Sequence, residues 1–184
     1  MANSWSVDGH KTLNTPYDSG IILCSDAEAL QNALHMSGEY LVLSDKRDGM
    51  FFTPEMSRRA RVIELWATMK FLGKKGIDSM VTTMHRNARE FAQNLSITDG
   101  FLVLNEVVFN QVLVSCGSDE LTERVLKNIQ DQRVCWVGGS FWKGRKVIRV
   151  SISSWMTTGK DLDITLESFK KALKEEMKAQ SWKV

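Results

Sequence analysis

The sequence predicts a mixed α/β chain that ends in a small α+β domain, and three observations carry that reading. Apolar residues recur at helical spacing over 77–95 and again over 162–177. Between 101 and 153 they alternate as in strands, broken by one helical stretch. The part before residue 53 offers only two short strands and one short helix, too little to enclose a core of its own. Residues 1–52 therefore read as the remnant of a larger domain, 53–97 as connecting helices, and 98–184 as the small domain.

Strands are expected over 4–7 and 21–24, on either side of a polar segment that contains Lys11. Asp26 can cap a short helix with Ala27, Leu30, Ala33 and Leu34 on its inner face. Residues 38–52 show no period, and Ser44-Asp45-Lys46-Arg47-Asp48-Gly49 has loop composition. Thr53-Pro54-Glu55 reads as a helix start, with a capping hydroxyl, a proline in the first turn and an acid near the positive end of the dipole. That helix places Val62, Trp66 and Met69 on one stripe and stops at Gly73. A second follows, with Met80, Met84, Phe91 and Leu95 among its apolar positions, and Trp66, Met80 and Met84 read as core. Further strands are expected over 101–104, 107–116, 134–137 and 147–153, with a helix from Ser118 to about Gln130 and a turn at Lys143-Gly144-Arg145-Lys146. The last helix turns Leu162, Leu166, Phe169, Leu173 and Met177 inward, and Thr158 with Asp161 fits its capping box.

A formal net charge of +2 gives no support for a nucleic-acid or membrane partner. The longest apolar runs, such as 21–24 and 112–114, are far too short to cross a bilayer, and no basic-then-apolar signal segment opens the sequence. Cys24, Cys116 and Cys135 are odd in number, widely spaced and set in apolar stretches, which suits buried free thiols in a reducing cytoplasm. His10, His35 and His85 are too dispersed for a metal site, and neither HExxH nor CxxC occurs. Phe141 and Trp142 beside Lys143, Arg145 and Lys146 could suggest RNA stacking on a hairpin. The near-zero net charge favours a plainer reading, a solvated basic turn with its aromatics packed inward.

The chemistry-bearing stretch is Ser6-Val7-Asp8-Gly9-His10-Lys11. A strand runs into a glycine, then presents a histidine and a lysine side by side. A lysine partly desolvated in such a place has a lowered pKa and an amine able to form a Schiff base with an aldehyde. The competing reading makes Lys11 one of 24 lysines and arginines, lying on a solvated turn.

Ser4 through Asn14 resembles the cofactor-lysine segment of the group II pyridoxal-phosphate-dependent amino-acid decarboxylases, which include glutamate, tyrosine and aromatic amino-acid decarboxylases. The likeness continues in order along the chain. Thr53-Pro54-Glu55-Met56-Ser57-Arg58-Arg59-Ala60-Arg61 with Leu65-Trp66 resembles the family's Arg-Arg helix. Leu104-Asn105 through Asn110-Gln111-Val112-Leu113-Val114 resembles its small-domain strand pair. Arg149-Val150-Ser151-Ile152-Ser153-Ser154-Trp155 with Thr157-Thr158 resembles its last strand and the entry to the C-terminal helix.

The resemblance implies the C-terminal part of a fold-type-I enzyme, comprising the end of the large domain and the small α+β domain. It implies pyridoxal 5'-phosphate as cofactor, held on Lys11, with His10 approaching the phosphate and Asp8 near the same end. Arg149 aligns with a strand arginine that pairs with a substrate carboxylate, a role its planar guanidinium fork suits. A structural ion pair at a sheet edge is the other reading of Arg149. Arg58 and Arg59 read as ion-pair anchors of their helix. The implied reaction is decarboxylation of an amino acid to an amine and carbon dioxide, in a cytoplasmic homodimer that builds its sites across the two subunits.

The same resemblance places the partner of the pyridine nitrogen, a ring-stacking histidine and a phosphate loop outside this sequence, so residues 1–184 alone are expected to be inactive. Residues 39–52 stand where relatives carry a mobile loop with a catalytic tyrosine. Here its centre reads Asp48-Gly49-Met50-Phe51-Phe52, the tyrosine nearby is Tyr40, and Thr12 follows the lysine where many relatives have an aromatic residue. Two other functions stay open: another fold-type-I activity such as a carbon–carbon lyase, and a non-catalytic binding or assembly module.

Overall fold

A computed structural model describes residues 2–34, 38 and 46–181 and divides the chain into two compact units, residues 1–73 and 74–184. In the first, strands β1 (Ser4–Asp8) and β2 (Gly20–Cys24) form an antiparallel ribbon with Ser4 opposite Cys24 and Asp8 opposite Gly20. Between them lies a single helical turn, α1 (Gly9–Thr12), which periodicity does not reveal. Helix α2 (Ala27–Leu34) is capped as expected, Asp26 Oδ1 accepting the Ala29 N–H at 2.9 Å, but none of its residues is fully buried.

The helix expected from Thr53 begins only at Val62. The Thr53 hydroxyl donates to the Gly49 and Glu55 carbonyls instead of accepting a helix amide, so the chain turns through 53–61 before winding up. Helix α3 (Val62–Ser96) is interrupted at Gly73, whose φ of 60° and ψ of −177° lie in a region open in practice to glycine alone. That is the break the sequence indicates. Val62, Trp66 and Met69 are exposed, Trp66 at 62%, which corrects the core reading of Trp66. A stripe at helical spacing is buried only where another element covers it, and none of the described residues of this unit does.

The second unit is an antiparallel sheet in the order β3 (Leu102–Val103), β4 (Gln111–Ser115), β6 (Arg145–Ser151), β5 (Gly138–Trp142). Three helices supply its core: the second part of α3 through Ala88, Phe91 and Leu95, α4 (Asp119–Gln132) through Val125 and Ile129, and α5 (Gly159–Ser181) through Leu162, Phe169 and Leu173. Phe91 and Phe169 meet edge to face, their centroids 5.5 Å apart. The Ser118 cap of α4 and the Thr158–Asp161 box of α5 form as expected, with Leu121 N–H on Ser118 Oγ at 3.1 Å and Thr158 N–H on Asp161 Oδ2 at 2.8 Å.

Three expected features shift. Residues 107–110 are not strand, because the Asn105 side chain accepts the Leu113 N–H at 2.7 Å and donates to Gln111 O at 3.1 Å, closing a loop before pairing begins. Residues 134–137 are not strand either: the Gln130 side chain takes the Val137 carbonyl at 2.8 Å, and β5 starts one residue later at the glycines. The hairpin turns at Lys143–Gly144, both at positive φ, and its aromatics are not packed inward, Phe141 being 70% and Trp142 42% exposed. The thiols are all free; Cys116 is buried, Cys135 half-buried, and Cys24 is exposed, against expectation. Among the described residues no helix is long and apolar enough to cross a membrane.

Candidate active site

The end of β1 sets the geometry around Lys11. After Asp8 the chain turns at buried Gly9, where a Cβ would stand 2.7 Å from Ser19 Oγ and 3.1 Å from Thr15 Oγ1. This close approach lets the returning segment wrap the turn. The Gly9 N–H donates to Ser19 O at 2.8 Å, and the Leu13 N–H donates to Gly9 O at 3.0 Å. Half-buried His10 has its Nδ1 at 3.1 Å from Ser19 N and 3.0 Å from Ser19 O, and its ring lies 4.1 Å from that of Tyr17.

The Lys11 side chain is 64% exposed, and its Nζ donates to Asp8 Oδ2 at 2.5 Å. The partly desolvated lysine suggested by the sequence is therefore corrected: a one-turn helix on a two-stranded ribbon cannot enclose it. The hydrogen bond from Lys11, aided by its positive charge, holds the Asp8 carboxyl below the usual carboxylate range.

The structure thus brings Asp8, His10 and Lys11 together, while Arg149 belongs to the other unit. Arg149 lies opposite Leu113 on one side and Gly138 on the other, so β6 is an interior strand. Its side chain is exposed and makes no ion pair among the described residues, which removes the reading of a structural pair at a sheet edge. A guanidinium nitrogen lies 4.0 Å from where a Gly138 Cβ would stand. Arg58 pairs with Glu55 at 3.8 Å and Arg59 with Glu64, as anchoring residues do, although both precede the helix. Arg61 reaches Asp18. Tyr40 and His35 lie outside the described residues, and Phe51 and Phe52 close a 3-10 turn, Gly49–Phe52.

Sequence reasoning missed Ser19, Thr15 and Tyr17. Pro16-Tyr17-Asp18-Ser19-Gly20 reads as turn composition, and no spacing rule says that such a turn folds back onto His10.

An exposed amine fits an aldehyde. The second ring nitrogen of His10, Nε2, has no hydrogen bond among the described residues and fits an anionic group. Together they match the aldehyde and the phosphate of pyridoxal phosphate in chemistry; among the described residues no three His, Cys, Asp or Glu side chains cluster as metal ligands.

Comparison with known proteins places the fold. The Oryza sativa protein titled TDC, solved with PLP and tryptamine, superposes with a TM-score of 0.87 at 21% identity, over 95% of this chain and 39% of that one. The chain thus has the fold of a part of that protein. The sequence pattern described as the pyridoxal-dependent decarboxylase conserved domain matches residues 1–116, and the chain belongs to that family. The aromatic-L-amino-acid decarboxylase of Bacillus atrophaeus is 26% identical, over 96% of this chain and 39% of its own length. The 3,4-dihydroxyphenylacetaldehyde synthase of Aedes aegypti is 23% identical, over 89% of this chain and 32% of its own length. The chain thus spans about a third of the curated relatives it matches.

Proposed function

We propose that the chain is the lysine-bearing C-terminal part of a pyridoxal-phosphate-dependent amino-acid decarboxylase, which converts an amino acid to an amine and carbon dioxide. The observation that carries the proposal is the cluster at the end of β1, where Asp8, His10 and Lys11 share one turn and the Lys11 side chain is largely exposed. Bound there, the cofactor supplies an electron sink for the carbon that loses its carboxylate.

The chain's own residues then divide the work. Lys11 holds the aldehyde carbon, and Asp8 fixes the lysine side chain before the cofactor arrives. His10 donates to the phosphate, and Arg149 takes a substrate carboxylate between its two terminal nitrogens. In this reading residues 1–52 end the large cofactor domain, 53–97 connect, and 98–184 form the small domain. A homodimer in the cytoplasm completes the assembly.

The test is a visible absorbance titration with pyridoxal phosphate, followed by borohydride trapping and mass mapping. A single adduct on Lys11, absent in Lys11→Ala, supports the reading. Labelling scattered over surface lysines, also in a longer chain, overturns it. Because the Aedes aegypti relative is named as an aldehyde synthase, turnover assays should measure both amine and aldehyde. Aldehyde without amine would replace the decarboxylase reading.

A further inference from the structure

We infer that Ser19 and Tyr17 hold His10 as its Nε2–H tautomer and so make it a fixed hydrogen-bond donor toward the anionic group of the cofactor. The ligand half of this inference rests on the cofactor reading above; the tautomer half stands on geometry alone.

Ser19 is buried, and its backbone N–H has one acceptor among the described residues, His10 Nδ1 at 3.1 Å. A buried backbone donor left unpaired costs as much as a lost hydrogen bond. The Ser19 carbonyl lies as near to Nδ1, at 3.0 Å, but already accepts from the Gly9 N–H at 2.8 Å. The carbonyl therefore loses nothing if Nδ1 is bare, whereas the amide is orphaned if Nδ1 carries the proton. Nδ1 is the acceptor, and the single proton of the neutral imidazole sits on Nε2.

Tyr17 keeps the ring in that orientation. Its ring lies 4.1 Å from that of His10, tilted by 40°, while Tyr17 itself is 77% exposed. Rotating the imidazole breaks both the ring contact and the Ser19 bond. What remains for a ligand is the Nε2–H, next to the lysine in sequence. A fixed N–H donor suits a phosphate oxygen and offers nothing to an uncharged ring aldehyde. Ser19 and Tyr17 are therefore positioning residues that discriminate a phosphorylated aldehyde from its unphosphorylated counterpart.

Two readouts on the full 184-residue chain test this. Nitrogen-15 spectra of histidine, taken at alkaline pH where imidazole is neutral, should show His10 protonated at Nε2; protonation at Nδ1 overturns the tautomer. Trapped adduct at Lys11 is then titrated with pyridoxal phosphate and with pyridoxal. Tyr17→Ala should weaken the phosphorylated aldehyde about threefold to tenfold, the range of one aromatic contact, and leave pyridoxal unchanged, while Tyr17→Phe should behave as the parent. Equal weakening of both aldehydes overturns the positioning role, since a merely structural defect does not discriminate. If the unsubstituted chain forms no Lys11 adduct with either aldehyde, the cofactor reading and the ligand half of the inference fail together, and the spectra still decide the tautomer.

Discussion

Lys11 Nζ and Asp8 Oδ2 stand 2.5 Å apart across one turn of backbone, three residues apart in sequence. The carboxylate closes β1 and the ammonium opens onto solvent, so the pair orients the lysine without burying it. Because the Asp8 carboxyl titrates below its ordinary value, the pair is intact at neutral pH. It is lost only as pH falls through that lowered value. Asp8→Asn should leave the fold unchanged and change the rate of trapped adduct formation at Lys11 by no more than about fivefold, as befits an exposed pair. A complete loss of labelling would assign Asp8 a larger role.

Gly9 is where the wrapping segment comes closest. With Ser19 Oγ 2.7 Å and Thr15 Oγ1 3.1 Å from the place of a Cβ, Gly9→Ala should destabilise the first unit by about 1–3 kcal/mol. Adding Ser19→Gly should recover part of that loss. Thermal unfolding with Lys11 labelling as a second probe measures both.

Arg149 is exposed and without an ion pair among the described residues. Arg149→Gln should therefore change stability by no more than about 0.5 kcal/mol and leave Lys11 labelling intact. In an assembly that turns over its amino acid, KM should rise about tenfold or more, as when a charged hydrogen bond to substrate is removed. An unchanged KM would show that Arg149 does not meet the carboxylate.

Phe169 is fully buried between Phe91 and Phe101, at centroid distances of 5.5 and 5.9 Å. Phe169→Ala should cost about 3–5 kcal/mol, the transfer of a large side chain plus the cavity it leaves, and Phe169→Leu clearly less. Denaturant unfolding followed by signals from the second unit reads the difference.

The thiols should react in order of exposure. Burial pushes the Cys116 thiol up to about 12, so at pH 8 only about one molecule in ten thousand carries the reactive thiolate there. Exposed Cys24 should be alkylated first. Burial also raises Cys135, against hydrogen bonds with Ser168 and Thr165, and it should react after Cys24. Cys116 should label only on unfolding, which mass mapping over time would verify.

Local rules made much of the second unit legible. Ser118 and the Thr158–Asp161 box start α4 and α5 where capping chemistry places them, and Gly73 breaks α3 as its composition indicates. These are short-range effects, in which a hydroxyl, a carboxylate or a missing Cβ acts within one turn of backbone. Residues 107–110 and 134–137 depart from their alternation for the opposite reason. Their alternation is genuine, but Asn105 and Gln130 take the backbone groups that decide where pairing begins, and one-dimensional spacing does not record which distant amide an amide side chain will meet.

The sequence by itself determined the class of chain and put forward Lys11 with Asp8 and His10 as its candidate site, because the Asp8-Gly9-His10-Lys11 run and the ordered matches downstream are properties of covalent order. Tertiary structure alone decided that Trp66 is exposed, that Arg149 lies on an interior strand, and that Ser19 and Tyr17 fold back onto His10. Burial, strand neighbours and the free nitrogen of an imidazole depend on which surfaces meet, and that is settled only when the chain has closed on itself.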